Sequence, residues 1–303
     1  MVRVIQNRGW YYAFSGLMVV AAIVVLAMWG LRFGIDFTGG SLLEIEFNNN
    51  RPEVSIITDS FKDLNLGNVT VQPAGDKGAI LRFRDVTEET HQQILQKIKT
   101  AGGDLTESRF ETVGPIIGSE LKSRAIWAII IALFFIVSYI SWAFRKVSRP
   151  VESWKYGVSA IIALAHDLLI TIGLFSVLGY FGGVEVESLF VTALLTILGF
   201  SVHDTIVVFD RTRENLFRGV ALSFEETVNK SVNDTIMRSI NTSFTTILVL
   251  TALYLFGGES IRYFTLALLF GITIGTYSSI FVASPLIVDW QLFSARGKNS
   301  GKR

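Results

Sequence analysis

Leu194–Asn215, reading LLTILGFSVHDTIVVFDRTREN, sets a histidine and an aspartate inside a run otherwise apolar enough to cross a bilayer. Even lenient insertion scales charge about 2.5 to 3.5 kcal/mol for an Asp at the centre of a membrane helix. Such a carboxylate therefore faces other helices and marks a proton, ion or substrate path. At helical spacing Ser201, Asp204, Thr205 and Val208 share one face, with Thr196, Gly199 and His203 beside it. That spacing predicts a polar stripe aimed at neighbouring helices. The plainer alternative makes Asp204 a neutral packing residue, worth only about 0.6 kcal/mol per interhelical contact.

The rest of the chain has a composition that suits this helix. Its 303 residues are 50% hydrophobic, 12% aromatic and 17% charged, with a mean hydropathy of +0.47. That is too apolar for a soluble domain and reads as a polytopic membrane protein. The net charge of +1 says nothing about a nucleic-acid partner, because in a membrane protein the distribution of Lys and Arg between loops is what matters. No basic patch or aromatic-interleaved run stands out to suggest one. With no Cys, and with its three His scattered at 91, 166 and 203, the chain offers neither disulfides nor metal-ligand spacing.

Six apolar spans are predicted, at about 10–31, 125–144, 156–178, 189–209, 235–256 and 264–290. The first follows Arg3 and Arg8 and lacks a small-x-small exit, so it is read as a retained helix and not a cleaved leader. After it comes GIDFTGG (Gly34–Gly40), where Asp36 suits a turn or cap and Gly39-Gly40 a positive-φ turn. From there to about Lys122 the chain is polar. Strands are predicted at 42–47, 69–73, 79–84 and 105–113 and helices at 52–64 and 87–100, with His91 on a solvated face. The order βαββαβ predicts a ferredoxin-like domain without catalytic groups. Arg145, Lys146, Arg149 and Lys155 follow the second span, Asp210, Arg211, Arg213, Glu214 and Asn215 the fourth, and Arg296, Lys298, Lys302 and Arg303 close the chain. By the positive-inside rule these loops and both termini are cytoplasmic and the polar domain is external.

The division expected is thus 1–31 for the N-terminus and first helix, 32–123 for the external α/β domain, 124–290 for the other five helices and 291–303 for a basic tail. His166-Asp167 gives the third span a polar side, on which Asp167 is expected to orient its helix. In the fifth, Arg238, Asn241, Thr242 and Thr245 fall on one face, where Arg238 is placed to pair with Asp204 or to snorkel to the interface. Gly271-x-x-x-Gly275 in the sixth permits close helix contact.

Four stretches, GIDFTGG, VGPIIGSEL before the second span, ALAHD in the third and GFSVHDTIVVFDRTREN in the fourth, resemble the SecF family, a SecD/SecF branch of the RND superfamily, over essentially the whole chain. The resemblance implies an RND-like half in the bacterial inner membrane. It implies SecD, the SecYEG channel with its associated components and unfolded preproteins as partners, and protons as the coupling ion with no other cofactor. It places the proton-coupling aspartate and arginine on Asp204 and Arg238. His203, Ser201, Thr205, Asn241, Thr242, Asp167 and His166 stand as supporting polar groups, with His203 where the family more often has Asn. Two other readings compete. One is half of a small-molecule RND exporter. The other is an intramembrane aspartyl hydrolase using Asp167 and Asp204, which would require two carboxylates sharing a proton.

Overall fold

The computed structural model describes residues 2–145 and 151–300. Lys146, Arg149, Lys302 and Arg303 of the basic loop and tail lie outside them, as do the side chains of Arg296 and Lys298. The chain divides into two compact units. One runs from the N-terminus to Arg32 and resumes at Trp127, and the other is Phe33–Ile126.

Among the described residues six helical segments are long and apolar enough to cross a membrane. They are α1 (Arg8–Trp29), α5 (Pro115–Ala143), α6 (Ser153–Gly182), α7 (Ser188–Arg218), α8 (Phe224–Phe256) and a composite sixth. The sixth joins α9 (Glu259–Ser278) through a π-helical turn at Ser279–Ala283 to α10 (Ser284–Ser300). Three helices outrun their apolar windows because their ends are written in capping chemistry that hydropathy does not see. Pro115 opens α5 at the position where proline costs no hydrogen bond. Ser223 caps α8 by accepting from the Glu226 amide at 3.2 Å, with Glu225 and Glu226 in the first turn. Gly219, at φ 61°, closes α7 in the left-handed conformation.

The helices meet in two buried apolar clusters centred on α6 and α7. Ahead of α1 the N-terminal segment buries Val4 and Ile5 completely. The Ile5 amide donates to Asn229 at 3.2 Å, and Arg8 reaches Asp289 at 2.9 Å and Glu225 at 3.3 Å. Arg8, read from sequence as a flanking charge, thus ties α1 to α8 and α10.

The small unit holds α2 (Ile35–Thr38), β1 (Gly40–Phe47), α3 (Val54–Asp59), β2 (Thr70–Ala74), β3 (Gly78–Phe83), α4 (Glu88–Gly102) and β4 (Leu105–Val113). Its sheet has the order β2-β3-β1-β4 with every neighbouring pair antiparallel, which is the ferredoxin-like arrangement expected. Alternate residues of β1 and β3, among them Leu43, Ile45 and Leu81, bury one face against Ile94 and Ile98 of α4. Helix α3 is shorter than the expected 52–64, giving way to a turn after Asp59. GIDFTGG, which sequence reads only as a turn, is structured. Gly34 starts the one-turn α2, and Thr38 Oγ donates to its carbonyl at 3.0 Å. Gly39 and Gly40 have φ of 75° and 128°. A Cβ on Gly39 would lie 2.7 Å from the Pro115 backbone and one on Gly40 2.8 Å from the Phe83 carbonyl, so the pair seats the start of β1 where no side chain fits.

His91 is not solvated. It is 3% exposed, stacked on Phe110 with ring centroids 3.7 Å apart, and its Nδ1 lies 3.2 Å from Glu88. The reason is periodicity: His91 is the N-terminal member of the stripe His91, Ile94, Leu95, Ile98, all buried on α4. Hydrogen bonds from Gln92 and His91 hold the Glu88 carboxyl below its ordinary range. A depressed carboxylate stabilises above its unfolded pKa, and that contribution fades as pH falls through the folded value. His91→Ala should cost the small unit about 2–4 kcal/mol, the scale of large-to-small core changes. Faster amide exchange across α4 and β4 of the intact chain would register it, and unchanged exchange would show the ring to be dispensable.

Candidate functional site

Helix α7 presents its polar face inward as its spacing predicts. Ser201, Asp204, Thr205 and Val208 are all buried, Asp204 to 3% exposure, while Thr196, Gly199 and His203 lie on the exposed side of the same helix. Thr205 Oγ donates back to the Ser201 carbonyl at 3.1 Å. Asp204 is less settled: its Oδ2 is buried and has no hydrogen-bond partner, and the same holds for Ser239 Oγ on α8. Ser239, His203, Thr276 and Arg238 are the side chains that act on the carboxyl. Behind them Ser243 of α8 and Thr276 of α9 share a short hydroxyl contact of 2.5 Å.

Arg238 does not touch Asp204. Among the described residues no ion pair joins them, and Arg238, Asn241 and Thr245 are exposed, with Thr242 half-buried. The face that α8 turns inward is Thr235, Ser239 and Ser243, buried to 6%, 1% and 3% exposure. Those three lie at i, i+4 and i+8, so a stripe of small hydroxyls is readable in the sequence, but a lone charge singles out its own face instead. Both helices also run past the expected spans 189–209 and 235–256, since α7 continues to Arg218 and α8 begins at Phe224. Both charges thus lie well inside their helices, Asp204 on the buried side of α7 and Arg238 on the exposed side of α8.

Asp167 on α6 is fully buried and fully engaged. His166 Nδ1 lies 2.9 Å from Oδ1, and the Ser201 and Ser278 hydroxyls lie 2.6 and 2.8 Å from Oδ2. One carboxylate thus fastens α6 to both α7 and α9. No hydrogen bond joins Asp167 to Asp204 among the described residues, and Asp167 is engaged instead by His166, Ser201 and Ser278. The sequence singles out Asp167 and His166 but not Ser278, since a serine in an apolar span carries no periodic signal of its own.

The charged stretch after Asp204 is a clasp between α7 and α8. Arg211 bridges Glu214 at 2.7 Å and Asp234 at 2.8 Å. Asn215 Nδ2, buried, donates to Ser231 at 2.9 Å and Asp234 at 3.2 Å. Asp210 pairs outward with Arg213 at 3.4 Å. Nearer the start of α7, on the same buried side, Gly271 and Gly275 of α9 meet it closely. A Cβ on Gly271 would overlap Ile197, and one on Gly275 would come 2.9 Å from the Ser201 Cβ. The small-residue spacing is therefore a real contact, and it positions Ser201 against Asp167.

Comparison with known proteins matches these parts to one family. The model described as protein export membrane protein SecD/SecF, C-terminal, covers residues 93–292. The SecD/SecF GG motif covers residues 26–50, which include Gly39-Gly40. The protein translocase subunit SecF of Thermobaculum terrenum is 43% identical over 96% of this chain and 94% of its own length. That of Anaerolinea thermophila is 40% identical over 100% and 98%. The crystal structure of SecDF, a translocon-associated membrane protein from Thermus thermophilus, superposes with a TM-score of 0.82 at 34% identity. It covers 94% of this chain, which spans 38% of that longer one. Six spans, a four-stranded domain opened by a double glycine, and an aspartate buried in α7 all fall inside these matches, and the chain belongs to the SecD/SecF family of protein-export membrane proteins, on its SecF branch.

Proposed function

We propose that this chain is a non-catalytic SecF subunit of the Sec translocase that, together with a SecD partner, uses the proton-motive force to drive late steps of preprotein passage through the SecYEG channel. One observation carries the reading: Asp204 is buried in an apolar span with an oxygen that has no hydrogen-bond partner. A buried acceptor left open costs free energy unless the site uses it, and a proton is the ligand that fits one carboxylate oxygen. Protons are the only coupling species the reading requires. Proton flux into vesicles holding the chain with its partner should rise when a preprotein is translocating. Flux indifferent to substrate would defeat the proposal.

A SecD partner is supported by the solved SecDF chain, of which this chain spans 38%, and by the exposed polar strip on α7 and α8. Thr196, His203, Arg238 and Asn241 are costly neighbours for lipid and suitable ones for another polar helix face. The orientation proposed puts the chain in the bacterial cytoplasmic membrane, with both termini, the clasp between α7 and α8 and Arg218 in the cytoplasm and the small domain outside. The sequence has no cysteine, so single introduced thiols report cleanly. A cysteine at exposed Asp76 should react with an impermeant reagent from outside and one at exposed Arg218 should not. External labelling at Arg218 would reverse the orientation.

A further inference from the structure

The hydrogen bonds around Asp167 balance for either charge state of its carboxyl. When it is ionised, Oδ1 accepts from His166 Nδ1 at 2.9 Å and Oδ2 accepts the hydroxyls of Ser201 at 2.6 Å and Ser278 at 2.8 Å. Ser278 Oγ also lies 3.1 Å from the Gly275 carbonyl, so its hydroxyl has a second acceptor. A proton added at Oδ2 forms one O–H bond that donates to Ser278 Oγ, while the Ser278 hydroxyl turns to Gly275. Every donor then still has an acceptor. A proton added at His166 Nε2 would find none, because that atom is buried without a partner.

From this double accounting we propose that Asp167 Oδ2 is a second proton-binding position in the membrane unit, distinct from Asp204 and switched by the Ser278 hydroxyl. The inference rests on the proton-coupling reading of the chain but concerns a different carboxyl. His166 is the only titratable group acting on Asp167, and α7 and α9 present it with hydroxyls alone among the described residues. Helix α1 reaches it indirectly: the Tyr277 ring lies 6.3 Å from His166, and its hydroxyl bonds the Tyr11 carbonyl at 3.3 Å and Ser15 at 3.2 Å. Ser278 is also the last residue before the π-helical turn Ser279–Ala283, a wound-out segment of the kind that often marks functional positions in helices. Proton uptake replaces the three charge-assisted bonds to the carboxylate by neutral ones, which loosens the grip of α6 on α7 through Ser201 and on α9 through Ser278 at the start of that turn.

The test reads proton occupancy and not export, so it stands apart from the failure or success of the Asp204 mechanism. In vesicles holding the Asp204→Asn chain with its SecD partner, acidification should raise the infrared C=O stretch of a solvent-shielded carboxylic acid. The Asp167→Asn, Asp204→Asn double variant should lose that band. Should the double variant fail to assemble, Ser278→Ala in the Asp204→Asn background decides, since it keeps the carboxyl and removes the switch. A shifted midpoint of the band supports the proposal. Absence of a pH-dependent shielded band in Asp204→Asn, its persistence without Asp167, or an unmoved midpoint in Ser278→Ala overturns it.

Discussion

Asp204→Asn is expected to assemble normally with SecD and to lose all proton-driven stimulation of export, falling to the level seen without a proton-motive force. The substitution keeps the shape of the side chain in its place among Ser239, Thr276 and His203, so packing is preserved while the charge and its titration are removed. Moving one charge through the full potential is worth about 2.3 kcal/mol per 100 mV, enough to bias two conformations that differ by a few kcal/mol. An amide fixed in the neutral form cannot draw on that. Arg238→Ala should produce the same loss by removing the cation that acts on the carboxyl from the exposed side of α8. Asp204→Glu should retain part of the stimulation. Preprotein export across vesicle membranes, measured at full proton-motive force, checks all three variants. Wild-type stimulation in an assembled Asp204→Asn complex would reduce Asp204 to a packing residue.

Asp167→Asn, which sequence alone would offer as a mild control, is not one. Its carboxyl accepts from His166, Ser201 and Ser278 in a fully buried site. An amide in its place must turn a donor toward one of those donors, and a buried unsatisfied group costs about 1–3 kcal/mol. Thr242→Ala is the better control, being half-buried on α8 and not among the side chains that act on Asp204.

Much of the architecture was legible because it rests on patterns that repeat. Strand alternation located all four strands to within a residue or two, and long apolar windows located six spans. Helix ends are missed where capping residues, such as Ser223 ahead of α8, carry the boundary into polar sequence. The site was half legible. Asp204 stands out because charge in an apolar run is rare, and its face on α7 follows from 3.6-residue periodicity. The partners across the helices do not follow, since Ser239, Thr276 and Ser278 are ordinary residues whose role depends on which helix packs beside which. His91 shows the same limit on a smaller scale: a polar residue at the end of an apolar stripe is buried or solvated according to what covers it, and here Phe110 does.

Two glycines in the membrane unit should respond to the same substitution in opposite ways. Gly271→Leu is expected to prevent accumulation of folded chain, because even its Cβ would overlap Ile197 of α7. Overpacking of a tight contact typically costs about 1–3 kcal/mol or more, and here the helix backbones must separate. Separating α9 from α7 also withdraws Ser278 from Asp167, which adds a buried polar loss to the steric one. Gly199→Leu is expected to leave the isolated chain as stable as wild type, since nothing lies within 4 Å of a Cβ at that position. Gly199 nevertheless sits on the exposed strip of α7 with Thr196 and His203, the surface assigned here to the SecD partner. Small residues let helix backbones approach in a bilayer, so a leucine there should hold the partner off and lower its co-purification about tenfold or more. Thermal unfolding of the chain alone, set beside its yield with SecD, separates the two effects. If Gly199→Leu recovers SecD at the wild-type yield, the partner does not dock on this strip of α7.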